Sequence, residues 1–287
     1  MRARPAPARG PTTLPSDSVQ EPRKELAVVL GHGMWSDARL YAPMMRHIRM
    51  DHRLVALDFP GHGRRAGETP ARTMDALARE LLRAIPDACG RAVLVGISTG
   101  AIAALHAALV KPEAVAGLVL FGGTASGEPR HRRVLYRTLA AVYRVVGAAP
   151  PVRWAVRRIA FDPAYPLDHA RDRAAVRQAE EVPRNVVAAS LRLLADRPTI
   201  HDRLHEIRVP VTVVVGEHDR VFAPSHSTKL ARGLPDPSLH VLPHTGHAVV
   251  VERPGFAARL VERVLRQLQC AGPREDGCGP GAAHGAG

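Results

Sequence analysis

Residues 92–110 read AVLVGISTGAIAALHAALV, a run without a charged side chain between Arg91 and Lys111. A hydropathy window takes such a run for a membrane span. Gly96 and Gly100 speak against that reading, because they split it into a short strand, Ala92–Ile97, and a helix, Ala101–Val110. Ser98, Thr99 and His106 inside it argue the same way. Between strand and helix stands Gly96-Ile97-Ser98-Thr99-Gly100. A strand that passes straight into a helix needs small residues on either side of the turn. Here the turning residue is a serine, lifted above the carboxyl edge of a sheet. The plainer reading is a glycine-flanked serine that caps the helix. The strand before and the apolar helix after favour a nucleophile.

The same alternation extends outward. Apolar or β-branched runs at Leu26–Leu30, Arg53–Phe59, Val115–Phe121, Val209–Val215 and Leu239–Leu242 join Ala92–Ile97 as strands. Helical patterns fall between them at Leu40–Ile48, Met74–Ile85, Ala101–Val110, Ser225–Leu234 and Phe256–Leu268. Right-handed βαβ units follow, and with them an α/β fold: a mostly parallel sheet of about six strands flanked by helices. Gly122 to Arg208 breaks the rhythm. It offers helical stretches at Arg132–Val146, Trp154–Phe161 and Asn185–Leu194, punctuated by prolines. In the first, Leu135, Leu139, Val142, Tyr143 and Val146 share one face. Residues 122–208 are therefore expected to form a helical cap inserted in a core of 26–121 and 209–270. Residues 1–25 and 271–287 have the Pro/Gly/Ala composition of disordered tails.

A serine hydroxyl attacks only if a base takes its proton. His247, in His244-Thr245-Gly246-His247 after the last strand, is the candidate, with His244 as a local rival. The base needs an acceptor on its other ring nitrogen. Asp219 supplies it in Gly216-Glu217-His218-Asp219 at the end of the fifth strand, with Glu217 as the nearby alternative. Each alone reads equally well as a turn or surface residue. Ser98, Asp219 and His247 at three strand ends, in that chain order, carry more weight together. The oxyanion formed on attack needs backbone donors. The amides of Met34, in Gly31-His32-Gly33-Met34-Trp35, and of Thr99 are assigned to it.

With these motifs in view, Leu26 to about Leu268 resembles the α/β-hydrolase superfamily. The residues that carry the resemblance are His32-Gly33, Asp58-Phe59-Pro60-Gly61-His62-Gly63, the Ser98 turn, Gly216-Glu217-His218-Asp219 and Gly246-His247. The resemblance implies the roles already argued, a mechanism without metal or cofactor, and a cap that shapes the substrate pocket. It makes Asp58 and His62 structural turn residues. Two departures stand out. Such proteins often begin with an antiparallel strand pair before the His-Gly turn; the composition of residues 1–25 is not expected to supply it, so the sheet should be short. Ile97 and Thr99 flank the serine where many relatives have a polar residue and Met.

Composition narrows the function classes. The net charge of +13 suggests nucleic acid, yet only Lys24, Lys111 and Lys229 of the 40 basic residues are lysines, and arginines run along the whole chain. Aromatics at 4% supply few stacking surfaces. A nucleic-acid partner and a membrane span are not expected. Cys89, Cys270 and Cys278 follow no metal or disulfide spacing, which fits a reducing cytoplasm. Between Glu128 and Arg203 fifteen arginines face eight acids, read as a solvated helix surface in preference to an anion funnel. The leading expectation is a serine hydrolase that cleaves a small-molecule carboxylic ester through an acyl-enzyme. A carbon–carbon bond hydrolase, a lactonase or a cofactor-free perhydrolase is the alternative on the same scaffold. A non-catalytic small-molecule receptor is the alternative of another class.

Overall fold

A computed structural model describes residues 26–166, 177, 178 and 180–270. The two expected tails and Cys278 lie outside the described residues. Six strands form one sheet: β1 (Ala27–Gly31), β2 (Leu54–Leu57), β3 (Ala92–Ile97), β4 (Val115–Phe121), β5 (Val211–Gly216) and β6 (Pro237–Leu242). Their order is β2-β1-β3-β4-β5-β6, and every neighbouring pair is parallel. Strands β1, β3, β4 and β5 are buried on both faces, which is why they read as continuous apolar runs. The edge strand β6 is mostly exposed or half-buried.

Side chains alternate across the sheet and build a core on each face. Ala27, Val29, Ala92 and Leu94 pack with the helices Met74–Arg83 and Thr99–Val110 through Leu77, Leu81, Ile102 and Leu105. Val28, Leu30, Val93 and Val95 pack on the other face with Ala257, Ala258, Val261 and Leu265 of the helix Pro254–Cys270. Each fully buried leucine or valine contributes roughly 1.5–3 kcal/mol. Residues 92–110 resolve into β3 and the Thr99–Val110 helix. Among the described residues no helix is long and apolar enough to cross a membrane.

Between β4 and β5 the described residues form no strand. They form the helices Arg130–Val146, Pro150–Ala160 and Arg184–Asp196, and the first and third pack on each other. The apolar face expected on the first helix is present but mostly uncovered. Tyr143 is buried beside Ala140, but Leu135, Leu139, Val142 and Val146 stay exposed. The second helix begins earlier than expected, at Pro150-Pro151, because proline at the first helical positions has no N–H to waste. The expected Leu40–Ile48 helix shrinks to a 3-10 turn, Ala38–Tyr41, and a single turn, Ala42–Met45.

The chain runs from β1 outward to β2, then returns past β1 to β3 and on toward β6. The carboxyl ends of β1 and β3, Gly31 and Ile97, therefore flank the crevice where the strand order reverses. Open parallel sheets place their ligands at such a crevice.

Candidate active site

Ser98 leaves β3 with φ 55 and ψ −117, a left-handed conformation that a non-glycine residue holds only when its surroundings impose it. The surroundings are backbone. A Cβ on Gly96 would lie 2.4 Å from the Gly100 carbonyl, and one on Gly100 only 2.0 Å from the Gly31 oxygen. The Ser98 amide is tied to the Phe121 carbonyl at 2.9 Å. Strand, turn and helix are thus wedged against β1, and the serine side chain is left half-buried beside a cavity.

That cavity has a volume of about 340 Å³. Ser98, His247, Gly33 and Met34 line it together with Trp35, Leu40, Ile97, Leu135, Leu139, Tyr143, Val156, Leu191 and Val221. The expected face of the first inserted helix thus finds its place. Leu135 and Leu139 wall the cavity, whereas Val142 is simply exposed.

His247 Nδ1 lies 2.7 Å from Asp219 Oδ2 in a buried contact. Asp219 Oδ1 accepts the amides of Val221 and Phe222, both at 2.9 Å, so the carboxylate has no freedom to turn away. Phe222 sets its ring edge-on to the imidazole at 5.9 Å. His244 and Glu217 lie elsewhere. Both are exposed, and the Glu217 carboxylate accepts the His244 amide at 3.3 Å.

Opposite Ser98, the Gly33–Met34 turn approaches closely: a Cβ on Gly33 would sit 3.4 Å from that of Ser98. Neither the Met34 nor the Thr99 amide donates a hydrogen bond to a described residue. The peptide that carries the Met34 amide is held from behind. The Gly33 oxygen, at the other end of the same trans peptide, accepts from His32 Nδ1 at 2.7 Å and Ser36 Oγ at 3.1 Å. His32 Nε2 accepts the Phe59 amide at 3.0 Å, which places the imidazole proton on Nδ1. Burial, then the nearby His62, hold His32 down at about 3, so it stays neutral. His62 reaches the Met34 oxygen through Nε2 at 3.1 Å, and burial lowers it as well. Asp58 accepts the Ala38 amide at 2.8 Å and Arg64 Nε at 3.0 Å. Burial pushes its carboxyl up, but these donors outweigh burial and hold it below the carboxylate range. Asp58 and His62 brace loops, and neither lines the cavity.

Several residues at the site escaped the sequence. A Cβ on Gly122 would lie 2.8 Å from the His247 ring and 3.1 Å from Asp219 Oδ2, so only glycine leaves room for that pair. Glu252 is buried behind the His247 loop and accepts the amides of Gly246 at 3.1 Å and Asp162 at 3.0 Å. The Ala248 amide donates to the Ala160 carbonyl at 2.9 Å. The loop that carries His247 is therefore joined to the end of the second inserted helix. The one signal for Glu252 was a lone carboxylate closing the apolar run Ala248–Val251.

A parallel sheet with a serine on a strained strand-to-helix turn, lining one cavity with the histidine of a histidine–carboxylate pair, describes a hydrolase scaffold. The chain belongs to the alpha/beta hydrolase family, whose model matches residues 28–260, and it is an enzyme of the hydrolase class. It is 30% identical to the pimeloyl-[acyl-carrier protein] methyl ester esterase of Aromatoleum aromaticum, across 83% of this chain and 98% of that protein. A protein of Rhizobium rhizogenes, named as a candidate carbamate hydrolase RutD, is 29% identical across 83% of this chain and 92% of its own. The fold is also that of a thermophilic esterase of Thermogutta terrifontis, with a TM-score of 0.74 at 24% identity over 85% of this chain and 90% of that one.

Proposed function

We propose that this enzyme hydrolyses carboxylic esters of small molecules through an acyl-enzyme on Ser98, with His247 as general base and Asp219 as its partner. What carries the reading is one juxtaposition: Ser98 and His247 face the same cavity, and His247 gives its far nitrogen to a fully engaged Asp219 at 2.7 Å. Relatives named for ester and carbamate hydrolysis support acyl chemistry.

In this mechanism His247 Nε2 takes the Ser98 proton as Oγ attacks the ester carbonyl. Asp219 fixes the tautomer and stabilises the imidazolium. The unpaired Met34 and Thr99 amides receive the oxyanion, with His32 and Ser36 holding the Met34 peptide in aim. His247 then protonates the departing alcohol, and water releases the acyl group by the reverse relay. The inserted helices serve as a cap whose apolar wall takes the acyl chain.

A fluorophosphonate probe should label Ser98 in the native chain, and short-chain nitrophenyl esters should be turned over. Ser98→Ala should abolish both. Full ester hydrolysis by Ser98→Ala would refute the assignment.

A further inference from the structure

We infer that the cavity takes an ester whose apolar chain carries an anionic group, carboxylate or phosphate, held by Arg157 and Arg220. The inference rests on the hydrolase reading only for which bond is cut; the anion site stands on the cavity itself.

The wall is aliphatic and aromatic, yet four arginines interrupt it: Arg132, Arg153, Arg157 and Arg220. Two are neutralised. Arg132 Nε lies 3.2 Å from Glu128, and Arg153 Nε lies 3.3 Å from Glu180. Arg157 and Arg220 pair with no carboxylate among the described residues. Arg220 follows Asp219 directly, and its Nη1 donates to the carbonyl of Arg158 at 3.2 Å. That bond orients the guanidinium without cancelling its charge, and it tethers Arg220 to the residue next to Arg157. Arg220 is thus anchored beside the residue that follows Arg157, and both arginines line one cavity.

Both side chains are exposed, yet both also line the cavity. Arg158, one position on, does what a surface arginine does: it stacks over the exposed Trp154 at 5.1 Å and does not line the cavity. Arg157 instead lines the cavity, as do Val152, Val156 and Ala160 of the same helix. An unpaired guanidinium beside an apolar wall is less screened than one in bulk water, so it rewards an anion more. Its planar fork fits carboxylate and phosphate oxygens alike.

Equilibrium binding to Ser98→Ala separates this inference from the chemistry. Three ligands suffice: methyl octanoate, monomethyl suberate, and the octanoate ester of 2-hydroxyethyl phosphate. At low salt one of the charged esters should bind about tenfold more tightly than methyl octanoate, as expected for two semi-exposed charge contacts. Monomethyl suberate leading places the anion at the acyl end; the phosphate ester leading places it on the alcohol side. The advantage should fall toward one in Arg157→Gln/Arg220→Gln. It should fall likewise in the unsubstituted cavity when salt is raised to on the order of 0.5 M, a readout that needs no arginine variant. Equal affinity for charged and neutral esters, or an advantage that survives both salt and the double variant, would overturn the anion site. Loss of the hydrolase reading would show differently, as an unlabelled Ser98 and no turnover of any of the three by the native enzyme.

Discussion

Replacing His32 with alanine tests how the proposed oxyanion site is aimed. The ring accepts the Phe59 amide at 3.0 Å and donates to the Gly33 carbonyl at 2.7 Å, and it lies 4.8 Å from the rings of Phe59 and His62. In His32→Ala the Phe59 N–H loses its partner in a buried position, at about 1–3 kcal/mol. The Gly33 oxygen keeps Ser36 Oγ at 3.1 Å and is not orphaned. The vacated ring space costs a further 1–2 kcal/mol or about that. Urea unfolding should therefore report a loss of about 2–5 kcal/mol. With one of its two anchors gone, the Met34 peptide rocks. Complete loss of an oxyanion donor costs about 10²–10³ in kcat, so a half-released one should cost about tenfold, with KM nearly unchanged. The pH dependence has a fixed sign. The folded state holds His32 at about 3, below its ordinary value of 6.5, so the unfolded chain binds the proton more readily. The stabilisation is complete above about 6.5 and is lost as pH falls toward 3, and His32→Ala should flatten that slope. An unchanged kcat in a variant that has lost the expected stability would show that the peptide is aimed by something else.

Two further substitutions probe the same neighbourhood. Gly122→Ala places a methyl 2.8 Å from the His247 ring at φ +53, so kcat/KM for a nitrophenyl ester should fall about 10–100-fold while circular dichroism stays native. Retention of half the activity would mean that the imidazole has slack the packing does not suggest. Burial raises the Glu252 carboxyl above its ordinary 4.5 despite the Asp162 and Gly246 amides that favour its charge, so its contribution to stability is full below 4.5 and fades as pH rises through the raised value. Glu252→Gln cannot titrate; urea midpoints between about pH 4 and 8 should show the native enzyme losing ground to the variant as pH rises, and parallel curves would contradict this.

Much of this was legible because the information is local. Gly96 and Gly100 sit next to the residue they accommodate, so the turn at Ser98 can be read from five letters. Strands β1, β3, β4 and β5 announce themselves because burial on both faces leaves no room for polar alternation. The first inserted helix was legible as a helix, but its apolar stripe faces a cavity and solvent, and periodicity does not say which surface a stripe meets. Prolines read as punctuation at 150 and 151 proved to be a helix start. His32, Gly122 and Glu252 were opaque for a different reason. Their partners are Phe59, His247 and Asp162, distant in sequence and brought close only by the sheet.

The seam between residues 160–162 and 246–252 bears on how such enzymes diversify. Ala248 is bonded to Ala160, Glu252 clasps both Gly246 and Asp162, and a side chain on Gly246 would strike the Asp162 nitrogen at 2.5 Å. The inserted helices are for this reason not an interchangeable module. A chimera that imports a relative's helices without its histidine loop would inherit a mismatched joint, and its losses would surface in turnover before they surfaced in substrate choice.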